Sequence, residues 1–189
     1  MDRKSLLLVS LFVEGGLYVL GLFLMGGSGA LQSNFSLSWS ATAYALLLCL
    51  PLLAVLYFST RTKWPPLYQL QTEMEEKVIP LFANCKTFDL AIIAFLAGMG
   101  EELFFRGWMQ VVLADKFGLW LGILVASLIF GLMHYLSTPY FIYAFVTGIY
   151  LGLIYQGSEN LYIVMVIHVV YDFAALVYLL KNRRENLKE

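Results

Sequence analysis

Apolar residues run along this chain in six long blocks parted by short breaks: residues 5–27, 39–59, 88–114, 119–137, 140–157 and 161–180. A helix needs about 20 predominantly apolar residues to cross a hydrocarbon core about 30 Å thick, because it rises about 1.5 Å per residue. Each block meets or approaches that length. The pattern therefore predicts an all-α fold, a polytopic membrane helix bundle of about six transmembrane helices. One integral membrane domain over residues 1–189 holds them, with two N-terminal transmembrane helices in residues 1–60. The first block follows Asp2-Arg3-Lys4, as the apolar part of a secretory signal would. Its apolar run is too long for one, and no small-residue cleavage site ends it, so a retained helix is expected.

Residues 60–87 form the one substantial polar stretch. It opens with Arg61, Lys63 and the breaker Trp64-Pro65-Pro66. Leu70, Met74, Val78 and Phe82 then recur at helical spacing against Glu73, Glu75, Glu76 and Lys77. An amphipathic helix lying in the headgroup region fits this pattern. A solvated loop helix fits it equally well.

Composition strengthens the membrane reading. The chain is 60% hydrophobic and 13% charged, against about 45–50% and about 25% in soluble domains. Its mean hydropathy is +0.76. Lipid must therefore be the solvent for much of its surface. The net charge of −1 argues against a nucleic-acid partner. Cys49 and Cys85 lie far apart and read as apolar fillers rather than a disulfide framework. With both termini inside, the inner segments hold Arg3, Lys4, Arg61, Lys63, Lys77, Lys86, Lys181, Arg183, Arg184 and Lys188. The outer side keeps Lys116 alone. The positive-inside rule thus predicts six helices with both ends cytoplasmic.

Candidate chemistry comes from the ionisable groups at bilayer depth, which cost at least about 2.5–3.5 kcal/mol each on insertion scales and so tend to mark sites or pathways. The third block contains Glu101, Glu102 and Arg106, the fourth His134, and the sixth His168 and Asp172. Both histidines of the protein fall in spans. Glu102 and Arg106 are four apart, share a helix face and can form an ion pair. Glu101 is rotated by about 100° from Glu102 and can face another neighbour. Glu102 is then held ionised while Glu101 is free to exchange protons. His168 and Asp172, also four apart, can hydrogen-bond and fix the imidazole's tautomer. Phe130, one turn before His134, would shield it from lipid. Glu14 stands apart from these clusters, beside Gly15-Gly16, and reads as a protonated or snorkelling residue.

At these residues the chain resembles the CPBP family, the CAAX-protease and bacteriocin-processing membrane proteins also called the Abi family. The motifs are Glu101-Glu102-x-x-x-Arg106, Phe130-x-x-x-His134 and His168-x-x-x-Asp172, in order on separate helices. The resemblance covers roughly residues 85–180, the expected catalytic core. It implies intramembrane peptide-bond hydrolysis. Glu101 would act with His134 to activate a water, while His168 and the residue four further on would stabilise the oxyanion. Relatives with an Asn at the last position have a hydrogen-bond donor there, whereas an ionised Asp172 would repel an oxyanion. An orienting role on His168 is the better expectation for Asp172, with Glu102 and Arg106 as supporting clamp.

No cofactor is favoured. If a divalent metal such as zinc is present, the implied ligands are Glu101, His134 and His168. The expected partners are a peptide or protein-tail substrate and membrane lipid, and the chain's compactness suggests the bacterial cytoplasmic membrane. Two other classes stay open. One is a non-enzymatic membrane scaffold or bacteriocin self-immunity protein. The other is a transporter, against which stand the short chain and the lack of an inverted repeat.

Overall fold

The computed structural model describes residues 2–26 and 35–186, with side chains to residue 183. Gly27, which ends the first predicted span, and Lys188 lie outside the described residues, as does the side chain of Arg184. The protein is an all-α bundle, with no strand among the described residues. Helix α1 runs Arg3–Gly26 and α2 Trp39–Ser59. Helix α3 covers Pro65–Glu73 and continues through a wide π turn, Met74–Val78, and a 3₁₀ turn, Ile79–Phe82. Helix α4 covers Thr87–Glu102, widens into a π-helical stretch at Leu103–Gln110 and is extended by α5, Val111–Phe117. Then come α6 (Leu119–Met133), α7 (Thr138–Ser158) and α8 (Leu161–Asn186).

Four of these, α1, α2, α7 and α8, are each long and apolar enough to cross a membrane. A fifth is reached only if α3 and α4–α5, which are bent by 110° at residues 83–86, are counted together as one span. The predicted fourth span is shorter than expected. Helix α6 has 15 residues, about 22 Å of rise, and falls short of a full hydrocarbon core. It stops because Ser137 caps the next helix, its side chain accepting from the Tyr140 N–H, while Pro139 in the first turn cannot continue an earlier helix.

Helix α8 is the central post. It packs along α4 and α2 and touches α7, while α1 lies against α4 and α6 pairs with α7. Between helices in lipid there is little hydrophobic drive, so close backbone approach matters more. A Cβ on Gly98 of α4 would meet the Val169 nitrogen of α8 at 2.8 Å. Only glycine permits that crossing, and it lies within a turn of Glu101 on one helix and beside His168 on the other. Helix α1, by contrast, turns most of its bulk outward: Phe12 is 85% and Phe23 79% exposed. Such a surface requires lipid rather than water around it.

Polar ties mark the two ends of the bundle. At one end Arg3 grips Asp89 with two bonds of 2.6 Å, and Thr60 bonds the Tyr178 hydroxyl at 3.0 Å. At the other, the Asn160 amide donates to the Ser36 carbonyl at 2.7 Å and accepts from its N–H at 3.0 Å. The amphipathic stripe of α3 forms as the spacing predicts, but it faces the protein. Leu70, Met74, Val78 and Phe82 line a cavity shared with α2 and α8, and the helix closes that end of the bundle.

Candidate active site

Three helices bring the polar groups together. Glu102 is fully buried at the end of α4's regular part, and Arg106 follows on the π-helical stretch with 1% exposure. Their ion pair forms at 2.7 Å. The second guanidinium nitrogen donates to the Gly148 carbonyl of α7 at 3.1 Å, and the guanidinium carbon sits 4.6 Å from the Phe130 ring centre. A cation removed from water is thus met by a carboxylate, a carbonyl and a π face together. One rung further, Gln110 Nε2 donates to the Gly152 carbonyl at 3.1 Å.

Glu102 does more than hold Arg106. The same oxygen, Oε1, lies 2.7 Å from His168 Nδ1. Glu102 therefore holds the His168 ring from its Nδ1 side, in addition to the Asp172 contact that the spacing predicts. Asp172 meets the other ring nitrogen, Nε2, at 3.4 Å and is 32% exposed at its side chain. The added partner has a simple cause. Spacing along one helix reveals the neighbour four residues on, but the Gly98 crossing supplies a closer partner from another helix.

His134 lies at the very end of its helix, although the apolar block it belongs to runs on to residue 137. It ends α6, with φ −95° and ψ 16°. Its Nδ1 lies 2.8 Å from the Phe130 carbonyl and its ring 4.4 Å from the Phe130 ring centre. Nδ1 accordingly carries the proton, and Nε2 turns its lone pair inward. There it faces Glu101 Oε2 at 3.7 Å, and His168 Nε2 faces the same oxygen at 3.9 Å. Glu101 Oε2 is buried with no hydrogen-bond partner in the protein. The gaps are too long for direct hydrogen bonds and of a size for one small bridging group.

The two histidines border a small chamber of about 100 Å³ lined by Phe130, His134, Tyr140, His168 and Asp172. A second cavity of about 200 Å³ shares Tyr140, Tyr143, Tyr171 and Asp172 with it and runs to Leu70 and Met74 under α3. The Tyr143 hydroxyl donates to that of Tyr171 at 2.5 Å where the two meet. Spacing pointed to none of these tyrosines. Glu14 was also missed as a neighbour, for α1 brings it against α4 at Gly100, the residue before Glu101.

A chamber of carboxylates and imidazoles inside a membrane bundle is the setting of a membrane hydrolase, and comparison with known proteins agrees. The family model for type II CAAX prenyl endopeptidase Rce1-like proteins matches residues 83–174, the segment that carries all three motifs. The uncharacterized protein YpbD of Bacillus subtilis (strain 168) is 31% identical over 157 residues, which cover 80% of this chain and 74% of that protein. The chain belongs to the Rce1-like (CPBP) family of CAAX-type membrane proteases, and it is a multi-pass membrane protein. No solved structure matches it.

Proposed function

We propose that the chain is an intramembrane endopeptidase that hydrolyses a peptide bond in a membrane-associated peptide or protein tail, using water activated by Glu101 and His134. The observation that carries this reading is the convergence of Glu101 Oε2, His134 Nε2 and His168 Nε2 within 3.9 Å around an oxygen with no protein partner. A water held there would touch both a carboxylate and an imidazole lone pair. As its oxygen attacks the substrate carbonyl carbon, one proton passes to Glu101 and the carbonyl oxygen becomes an oxyanion. His168 in its doubly protonated form donates Nε2–H to that oxyanion while Nδ1–H stays on Glu102. Glu101 then gives its proton to the amide nitrogen as the C–N bond breaks, leaving a carboxylic acid and an amine. Asp172 steadies the Nε2–H side of the His168 ring, and Glu102 with Arg106 holds the frame.

The wider cavity under α3 supports entry of an apolar tail from that end of the bundle. The basic residues gathered there, with Arg3 and Arg61 near the two ties, support a cytoplasmic entrance in a bacterial membrane with both termini on that side.

A zinc ion would be held by Glu101, His134 and His168 and would supply a metal-activated water. Bonds of about 2.0–2.1 Å in a tetrahedral site put donor atoms about 3.3 Å apart. The separations of 3.7 and 3.9 Å are wider than that, so the three side chains as they stand do not close on a zinc ion. Peptide release is therefore expected to survive dialysis against a strong chelator. Abolition by the chelator and restoration by zinc alone would establish the metal reading instead.

The decisive experiment compares peptide release in membranes holding wild type or Glu101→Gln at equal levels. Release by wild type and its loss in the variant is the expected result; equal release from both would end the glutamate mechanism.

A further inference from the structure

The first helix lies outside the segment matched by the family model, and it carries one charge-bearing residue where it can least afford one. Glu14 is the twelfth of the 24 residues of α1, about 16 Å of rise from either end. A glutamate side chain cannot snorkel that far, so of the two expectations for Glu14, protonated or snorkelling, length favours the first. Most of α1 faces outward, with Leu6, Gly21 and Met25 its buried residues. Glu14 nonetheless turns inward, partly buried, and one of its oxygens, Oε2, is enclosed with no protein hydrogen-bond partner.

The backbone explains how it gets there. A Cβ on Gly100 would lie 2.3 Å from the Glu14 carbonyl oxygen and 3.4 Å from the Tyr18 nitrogen. Helices α1 and α4 therefore touch backbone to backbone at the residue before Glu101. Any side chain at position 100 would part them. The contact brings Glu14 to the turn of α4 that carries Glu101, where each of the two carboxyls has one enclosed oxygen with no protein partner; His168 and Asp172 of α8 are the other charged groups that act on it. Two carboxyl groups can lie together in an apolar setting when one donates an O–H to the other.

We propose that Glu14 is a positioning residue of the active site: its carboxyl donates a hydrogen bond to Glu101 and so aims Glu101 Oε2 between the two histidines. The function of the N-terminal helix is then part of the chemistry, besides its place in the lipid. This rests on the peptidase reading above and narrows it.

The test uses the full chain in membranes and three variants in the same peptide-release assay. Glu14→Leu removes the donor and fills the space, and turnover should fall about 10²-fold, the effect of a reacting group misplaced by about 1 Å. KM should stay within about twofold, because the substrate is not touched. Glu14→Gln keeps an N–H donor of the same reach and should restore turnover to within about threefold of wild type. Should Glu14→Leu fail to insert, Glu14→Ala removes the carboxyl without bulk and carries the same expectation. Glu101→Gln runs alongside as the control on the peptidase reading itself. If Glu101→Gln abolishes release but the Leu or Ala variant stays within about twofold of wild type, the inference is wrong and the mechanism stands. A Glu14→Gln variant as impaired as Glu14→Leu would overturn the donor role as well. Equal release from wild type and Glu101→Gln would instead strike the underlying reading.

Discussion

Glu101 and Glu102 are adjacent in the chain and live in opposite surroundings. Glu102 is clamped: its Oε1 takes both the Arg106 guanidinium and the His168 ring at 2.7 Å, while its Oε2 is enclosed with no protein partner. Glu101 has no such clamp: two imidazole nitrogens stand near 4 Å from its Oε2, and that oxygen is enclosed without a protein partner. An ion pair and an imidazole bond on one oxygen hold the Glu102 carboxylate in a fixed position. An unclamped group held beside it is poised to take a substrate or water, at some cost to stability. The comparison teaches that the bundle divides structure from chemistry across a single peptide bond.

That division can be broken from its chemical side first. Glu101→Gln should lower turnover by about 10²–10⁴-fold, the range for loss of a general base. Thermal stability in detergent should stay the same or rise, because a charge-bearing group is replaced by a neutral one of equal size. A clear drop in stability would mean that Glu101 belongs to the frame.

Arg106→Leu tests the clamped side. It strands Glu102 in the interior and removes the contacts with the Gly148 carbonyl and the Phe130 ring. Breaking one half of a buried pair costs about 3–5 kcal/mol, so the protein should accumulate poorly or melt well below wild type. A variant that is stable and merely inactive would show that Arg106 acts on substrate instead.

Much of this was legible in the sequence because it is written in local spacing. Apolar blocks of the right length marked the helices, and the four-residue interval marked the Glu102–Arg106 pair. The ordered motifs at Glu101, Phe130, His134 and His168 pointed to one family. What stayed hidden depends on where helices cross. The Glu102–His168 bond and the approach of Glu14 follow from backbone contacts at Gly98 and Gly100, and periodicity carries no record of which helix lies opposite a glycine. The end of α6 at His134 had a local signal in Ser137-Thr138-Pro139, overridden in the reading by an apolar run that continues through Tyr135 and Leu136. For α3 the apolar stripe was plain, but a pattern cannot say whether lipid or the protein's own cavity receives it.

Gly98→Ala sharpens the link between the two sides. Its Cβ would meet the Val169 side chain at 2.5 Å and backbone nitrogen at 2.8 Å, so α4 and α8 must separate. Overpacking of this kind costs about 1–3 kcal/mol. The same shift pulls Glu102 from His168, so peptide release should fall further than the melting temperature alone explains. Activity retained in proportion to folded protein would show that the crossing serves stability only.

The smallest effect is expected one rung beyond the clamp, at Gln110. Its Nε2 donates to the Gly152 carbonyl, yet its Oε1 is buried with no partner. Gln110→Met removes a bond worth about 1 kcal/mol and also removes an unsatisfied acceptor whose burial costs a similar amount. The Gly152 carbonyl can still serve its own helix, and methionine matches the length of the lost side chain. Stability should therefore change by less than about 1 kcal/mol, and peptide release should stay within about twofold of wild type. A loss as large as that of Arg106→Leu would mean that the clamped side works as one cooperative ladder through Glu102, Arg106 and Gln110. A near-neutral result would confine the rigid frame to the charged pair and its histidine.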